Sequence, residues 1–168
     1  ERIHRMKRAA AMVLCLFPFE PELYEKAGIP ASFVGHPLAD MLPDQPDRSA
    51  ARDQFRLSPS CSVIALLPGS RPNELRMILP TLRDALPLIV ARLPRVQFLV
   101  ARAPNLADEL FAPLANLSPP VKVATLDGRA DDVIEAADVV ITASGTATVQ
   151  TAIHERPMVI VYRVAPLT

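Results

Sequence analysis

Tryptophan is absent from the 168-residue sequence, which has only six phenylalanines and two tyrosines. Proteins that bind single-stranded nucleic acid stack its bases on aromatic side chains, and this chain has few such side chains. Eighteen basic and eighteen acidic residues also cancel, so the chain lacks the net positive charge of a general nucleic-acid binder. We therefore predict that nucleic acid is not a partner.

Long apolar runs and paired cysteines are also missing. No apolar stretch approaches the roughly 20 residues that a membrane span needs. Cys15 and Cys61 lie far apart with no CxxC or Cys/His spacing, and Cys15 sits in an apolar run, where a buried free thiol is expected. The sequence has no metal-ligand spacing, no Walker loop and no GxGxxG or GxSxG motif. These absences predict a reducing cytosol, no metal and no cofactor.

Half of the residues are apolar, and many of them fall into short runs separated by segments with helical spacing. Runs of strand length predict strands, and three- and four-residue spacing predicts helices. The predicted strands are 12–17, 31–34, 62–67, 96–100, 121–126, 139–141 and 158–162. Strands that alternate with helices are typical of an α/β fold built on a doubly wound parallel sheet.

Prolines punctuate this pattern at two places. Pro80 and Pro87 lie inside the helix predicted from residue 72 onward, so we expect a kink or a break there. A polar, proline-containing stretch at 41–49 predicts a connector between two domains. A further helix is predicted at 105–114 and a short one at 131–136.

The turn after the strand at 139–141 carries the strongest chemical signal. It consists of small residues, Ser144, Gly145, Thr146, Ala147 and Thr148, and opens a helix. Glycine lets the backbone approach a ligand, the hydroxyls add short donors, and the free N–H groups of a helix start favour an anion, typically phosphate. The alternative is that Ser144 or Thr146 only caps the helix.

A second loop of this kind follows the strand at 62–67. It contains Gly69, Ser70 and Arg71, and the helix after it carries Glu74 in its first turn. The guanidinium of Arg71 is suited to gripping phosphate oxygens, although an ordinary surface arginine is the alternative. Parallel strands end at the same edge of a sheet, so these two loops and a third at 127–129 are expected to converge, and two anion-binding loops together suggest a diphosphate.

The remaining polar candidates carry weaker signals. His36 lies between glycine and proline just before the connector, where a hinge or packing role is expected. Asp127 precedes a glycine and indicates a turn first and a ligand contact second. Asp131 and Asp132 are expected to cap a helix, and His154 is expected to be exposed near a helix C-terminus.

Taken together, several segments resemble the lipid-A-disaccharide synthase family. They are 16–20 (LFPFE), 34–38 (VGHPL), 66–71 (LLPGSR), 144–148 (SGTAT) and the ending from 157 through 162–163 to 166–168. Each is weak alone, but they occur in order across nearly the whole chain.

That resemblance implies a GT-B glycosyltransferase that transfers a 2,3-diacylglucosamine unit from its UDP donor to 2,3-diacylglucosamine 1-phosphate and releases UDP. It implies work in the cytoplasm, in peripheral contact with the inner membrane of a Gram-negative-type bacterium. Residues 1–41 would be the end of the acceptor-side domain, and 42–168 an incomplete, Rossmann-like UDP-sugar-binding domain. Phosphate contacts would come from 69–71 and 144–148, with His36, Glu74 and Asp127 at the donor site or between domains. A helix start and Arg71 would stabilise the negative charge of the departing UDP without a metal ion. The resemblance therefore implies a displacement that inverts the anomeric carbon of the sugar.

The sequence departs from the family pattern in two respects. Gln150 stands where the family commonly has glutamate, a candidate for ribose hydroxyls; an amide can still bind them but lacks the charge. The chain also ends at Thr168 and lacks the earlier domain where a general base is expected, so we do not expect it to catalyse the reaction alone. Another UDP-sugar-dependent GT-B enzyme, such as a lipid-linked GlcNAc transferase or a UDP-GlcNAc epimerase, and a non-catalytic nucleotide-binding module are the alternatives.

Overall fold

The computed structural model describes residues 2–41, 47–115 and 117–163. The chain divides into two compact units, Glu1–Asp44 and Gln45–Thr168. Most of the predicted connector, and the last part of the family-like ending at 164–168, lie outside the described residues. The assignment of 1–41 and 42–168 to acceptor-side and donor-side domains stays a prediction. No helix among the described residues combines the length and apolarity needed to cross a membrane.

The first unit pairs two short parallel strands with three short helices. Its elements are α1 (Arg2–Ala9), β1 (Val13–Cys15), α2 (Glu20–Lys26), β2 (Ala31–Phe33) and α3 (Pro37–Asp40). A carboxylate oxygen of Glu20 accepts hydrogen bonds from the N–H groups of Leu16 and Phe17, both at 2.9 Å, and so fixes the turn that joins β1 to α2. The strands β1 and β2 lie within the strands predicted at 12–17 and 31–34.

The second unit is built on a five-stranded sheet. Its elements are α4 (Arg48–Gln54), β3 (Ser62–Leu67), α5 (Pro72–Arg92), β4 (Val96–Arg102), a 3-10 turn (Asp108–Phe111), α6 (Ala112–Ala115), β5 (Val123–Asp127), α7 (Ala130–Ala136), β6 (Val139–Ala143), α8 (Thr146–Ile153) and β7 (Met158–Val161). The strand order is β5-β4-β3-β6-β7, and every pair is parallel. The order reverses between β3 and β6, so the sheet is doubly wound as predicted.

Helices cover both faces of this sheet because alternate residues of a strand point to opposite faces. Ile64 and Leu66 of β3 pack into a cluster with the buried side chains of α5. Val63, Ala65 and Leu67 pack into a second cluster with those of α4 and α7. The unbroken apolar run of β3 is therefore the pattern of a strand buried on both faces, which places β3 at the centre of the unit.

Helix α5 continues through Pro80 and Pro87, so the predicted break does not occur. A proline inside a helix costs about 3 kcal/mol. The side chains of α5 that are buried against the sheet are Leu75, Ile78, Leu79, Leu82, Leu86 and Val90. Burial of each such side chain stabilises by about 1.5–3 kcal/mol, so packing outweighs both prolines.

The predicted helix at 105–114 is wrong in form. The segment instead contains a 3-10 turn followed by the single-turn helix α6. Asn105 has a φ of +64°, in the left-handed region, and a residue in that conformation does not begin a right-handed helix. The regular structure therefore starts only at Asp108.

Asp138 ties helix α4 to the sheet. Its Oδ2 accepts from the N–H of Val63 at 2.7 Å and from Nη2 of Arg52 at 2.8 Å, and its Oδ1 accepts from Arg48. Partial burial acts to raise the pKa of Asp138, but the Val63 hydrogen bond and the charges of Arg48 and Arg52 outweigh it and hold the pKa below its ordinary value. One carboxylate thus joins the start of β3, the start of β6 and α4.

Candidate functional site

A cavity of about 420 Å³ opens at the carboxyl ends of the central strands, where the strand order reverses. In doubly wound sheets this crevice is the usual place for a ligand. The predicted site residues that line it are Gly69, Ser70, Arg71, Glu74, Ser144, Gly145, Thr146, Ala147 and Gln150. Gly128 lines it as well, so residues from all three of the predicted loops meet at one cavity.

The turn between β6 and α8 presents its backbone to this cavity. Gly145 follows β6 as the N-cap residue of α8 and has a φ of +150°, and no side chain of the described residues caps the helix. The alternative that Ser144 or Thr146 caps α8 is therefore wrong. A Cβ at Gly145 would meet no atom of residues 2–41, 47–115 or 117–163 within 4 Å, so these residues leave the space beside it open. The N–H groups of Thr146 and Ala147, the first two of the helix, therefore face this open space without a capping side chain from the described residues.

Thr148 is the one residue of this predicted turn that does not line the cavity. Its hydroxyl donates to the carbonyl oxygen of Gly145 at 2.6 Å, and its backbone N–H reaches the same oxygen at 3.0 Å. Both donors of Thr148 are therefore used within the turn. Thr148 shapes the helix start, and its contact with phosphate stays a prediction.

The loop between β3 and α5 brings an arginine to the same cavity. Arg71 is the N-cap residue of α5, and its Nη1 donates to Oε1 of Glu74 at 2.6 Å. The side chain of Arg71 is 78% exposed, and within the described part of the chain Glu74 is its one ion-pair partner. Gly69 has a φ of +118°, and a Cβ there would lie 2.8 Å from Oε2 of Glu74. The glycine therefore gives Glu74 room to fold back beside Arg71.

A second arginine, Arg102, lines the cavity from the end of β4. It makes a two-pronged contact with Asp127, of which the Nη2–Oδ2 distance is 2.6 Å, and it also pairs with Asp108. These hydrogen bonds, to Asp127 first and Asp108 second, raise the pKa of Arg102 above its already high ordinary value. Asp127 is thus engaged by Arg102 and does not itself line the cavity.

A network of polar side chains runs from the cavity towards the interior of the second unit. Nε2 of Gln150 donates to Oδ1 of Asp131 at 2.7 Å, and Nε2 of His154 lies 3.0 Å from the same oxygen. Nδ1 of His154 lies 3.3 Å from Oε2 of Glu135, and Nη2 of Arg156 donates to Oε1 of Glu135 at 2.8 Å. Asp131, like Gln150, lines the cavity.

Two sequence expectations about these residues are wrong. The side chain of His154 is only 4% exposed, because the turn after α8 folds it against α7. Asp131 and Asp132 lie in the first turn of α7, whose N-cap is Arg129, and neither caps it. Asp132 pairs with Arg129 at 2.8 Å instead.

His36 belongs to the first unit and is described there alone. Its Nδ1 accepts from the N–H of Leu38 at 3.2 Å and caps α3, and its ring lies 5.7 Å from that of Phe17. The ring contact with Phe17 fits the expected packing role, while the placement of His36 at the donor site or between domains stays a prediction. No group of three or more His, Cys, Asp or Glu side chains within residues 2–41, 47–115 and 117–163 is arranged to hold a metal ion.

Comparison with known proteins gives a match along the whole length of the chain. A sequence model described as lipid-A-disaccharide synthetase matches residues 1–168. The chain belongs to the lipid-A-disaccharide synthetase family. It is 48% identical over 164 residues to the lipid-A-disaccharide synthase of Azoarcus sp., covering 96% of this chain and 42% of that protein. It is 47% identical over 167 residues to that of Burkholderia thailandensis, covering 99% of this chain and 43% of that protein.

Solved structures agree with the fold. A variant of the wall teichoic acid polymerase TagF superimposes with a TM-score of 0.59 at 15% identity, covering 94% of this chain and 40% of that one. A mutant of S. aureus TarM, solved in complex with fondaparinux, alpha-GlcNAc-glycerol and UDP, gives a TM-score of 0.52 at 10% identity, covering 92% and 30%. The predicted Rossmann-like α/β sheet of the GT-B type is confirmed.

The segments that carry the family resemblance in the sequence fall at defined places in the fold. The segments 66–71 and 144–148 follow β3 and β6 and border the cavity. The segments 16–20 and 34–38 flank α2 and α3 in the first unit. The chain spans about 42–43% of the length of the curated relatives named above.

Proposed function

We propose that this chain supplies most of the UDP-sugar-binding domain of a lipid-A-disaccharide synthase. The complete protein would transfer a 2,3-diacylglucosamine unit from its UDP donor to 2,3-diacylglucosamine 1-phosphate and release UDP. Family membership supports the reaction, and the cavity at the reversal of strand order supports the place of the nucleotide. The observation that carries the proposal is the meeting of two helix starts and Arg71 at that one cavity.

The chemistry follows from where negative charge develops. When the bond between the sugar and the diphosphate breaks, the electron pair goes to the departing UDP. The N–H groups at the start of α8 and the positive end of that helix stabilise this charge. Arg71 exchanges its contact with Glu74 for the phosphate oxygens, and Ser70 and Ser144 add hydroxyl donors at the rim.

The acceptor must lose a proton as its hydroxyl attacks the sugar carbon on the opposite side from UDP, which inverts that carbon. We place the general base in the part of the relatives that this chain does not span. We also assign the protein to the cytoplasm, with peripheral contact to the inner membrane, because its substrates carry acyl chains. The activity therefore belongs to the longer protein, while nucleotide binding is a property of this chain.

Titration of UDP into the purified 168-residue chain tests the site. Arg71→Ala removes the phosphate contact and leaves the charge of Glu74 facing the ligand, so we expect the affinity to fall by about tenfold or more. Arg76→Ala is the matched control, because Arg76 lies on the same helix, donates to Asn73 and does not line the cavity. Circular dichroism verifies that each variant is folded.

Two results would overturn the proposed site. One is a folded wild-type chain that does not bind UDP. The other is equal UDP affinity in the Arg71→Ala and Arg76→Ala variants. Acceptor competition in the longer protein then separates a disaccharide synthase from other UDP-sugar enzymes, because only the former uses diacylglucosamine 1-phosphate.

A further inference from the structure

Asp131 and Gln150 form a pair of acceptors on the lining of the cavity. The amide of Gln150 and the ring of His154 both contact Oδ1 of Asp131. Within the described part of the chain, no group donates to Oδ2 of Asp131 or to Oε1 of Gln150. Asp131 is 53% exposed, so its second oxygen is accessible to a ligand. The carboxylate is held by one oxygen and left free at the other.

The position of this pair matches the shape of a nucleotide. Gln150 lies four residues after Thr146 on α8, so both are on one helix face and separated by about one turn, roughly 5.4 Å. Thr146 belongs to the phosphate end of the proposed site. In a nucleoside diphosphate the ribose follows the phosphates directly, and its two neighbouring hydroxyls are donors that need acceptors. A carboxylate and an amide carbonyl side by side provide two acceptors.

Buried side chains behind Asp131, those of His154 and its partner Glu135, hold Asp131 in place. His154 is almost fully buried, and its two ring nitrogens face Asp131 and Glu135. Arg156 holds Glu135 through its side-chain and backbone oxygens at 2.8 and 3.2 Å. A carboxylate braced in this way loses little freedom when a ligand binds, and this lowers the cost of binding.

We propose that Asp131 is the charged acceptor for the ribose hydroxyls, with Gln150 beside it and His154 as its positioning residue. The inference rests on the proposed nucleotide site and deepens it. Gln150 is uncharged where the family commonly has a glutamate, and the inference assigns that negative charge to Asp131 instead. The site therefore selects ribonucleotides, and the discrimination depends on residue 131.

The test compares UDP with 2′,3′-dideoxy-UDP, which carries the same base and phosphates but no ribose hydroxyls. Wild type is expected to bind UDP about tenfold or more tightly than the dideoxy compound, as for a hydrogen bond to a charged group. Asp131→Asn keeps the side-chain shape, so it should lower the UDP affinity by about tenfold and leave the dideoxy-UDP affinity unchanged. Asp132→Asn is the matched control, because it removes the same charge one residue away, outside the cavity lining.

The outcomes separate this inference from the proposed function. Failure of both nucleotides to bind would overturn the site itself. Binding of both with an equal preference for UDP in wild type and the Asp131→Asn variant would leave the site intact and overturn the role of Asp131. His154→Ala should reduce the same preference while dideoxy-UDP still binds. Loss of both affinities together in that variant would mean that His154 only supports the fold.

Discussion

Replacement of Asp138 by asparagine tests how helix α4 is held to the sheet. In the Asp138→Asn variant the side-chain amide oxygen can still accept from Val63, but it carries no charge for Arg48 and Arg52. Weakening of the Val63 hydrogen bond costs about 1 kcal/mol. The two arginine contacts are partly exposed and contribute about 0.5 kcal/mol each. We therefore expect the variant to lose about 2 kcal/mol of unfolding free energy at pH 7.

The pH dependence of this difference provides a second check. The folded pKa of Asp138 lies below its unfolded value, which is about 3.9 for an aspartate. The stabilisation is thus complete above the unfolded pKa and is lost as the pH falls through the folded pKa. The gap in stability between wild type and the variant should be constant from about pH 7 to 5 and shrink below about pH 4.

Urea unfolding followed by circular dichroism measures both quantities in the 168-residue chain. Asp84→Asn is the matched control, because Asp84 is exposed on α5 and pairs with its neighbour Arg83; it should change stability by less than about 0.5 kcal/mol. A gap for Asp138→Asn that is no larger than the control, or one that persists unchanged at about pH 3, would refute the reasoning.

Two further predictions concern the core and the thiols. Leu79→Ala should lower the unfolding free energy by about 2–5 kcal/mol, because Leu79 is fully buried in α5; Leu88→Ala, whose leucine is 70% exposed on the same helix, should cost less than about 1 kcal/mol, and equal urea midpoints would contradict this packing. Burial, aided by Glu20 and Glu25, raises the pKa of the Cys15 thiol. An exposed-thiol reagent should therefore label the less buried Cys61 first and Cys15 only on unfolding, whereas equal labelling rates in the native chain would contradict the assignment.

Local sequence patterns were sufficient for most of the fold. The apolar run at 62–67 predicts the strand that the structure shows as β3, and the turns after β3 and β6 predict a shared site because parallel strands end at one edge. The six buried positions of α5 also follow from their spacing. The break predicted at Pro80 and Pro87 was wrong because the low helix propensity of proline is a local preference, and packing along the whole of α5 outweighs it.

The polar contacts of the site were harder to predict. Arg102 reaches Asp127 across 25 positions, and His154 reaches Asp131 across 23, so each contact depends on how separate elements are placed. The position of Arg102 at the carboxyl end of a strand was an available signal, because ligand-contacting residues collect there. No comparable signal marks His154, since a histidine near a helix end is ordinarily exposed and favoured by the helix dipole.

The pairing of both cavity arginines with carboxylates bears on which anions the cavity can retain. Arg71 already faces Glu74, and Arg102 already faces Asp127 and Asp108. An anion that binds Arg71 must displace the carboxylate of Glu74. Its net gain in binding free energy is therefore the difference between the Arg71–anion pair and the Arg71–Glu74 pair. A small anion such as inorganic phosphate makes one exchange and gains little. At the proposed site a diphosphate would gain further contacts at the start of α8, and Glu74, Asp127 and Asp108 would then favour the diphosphate over simpler anions.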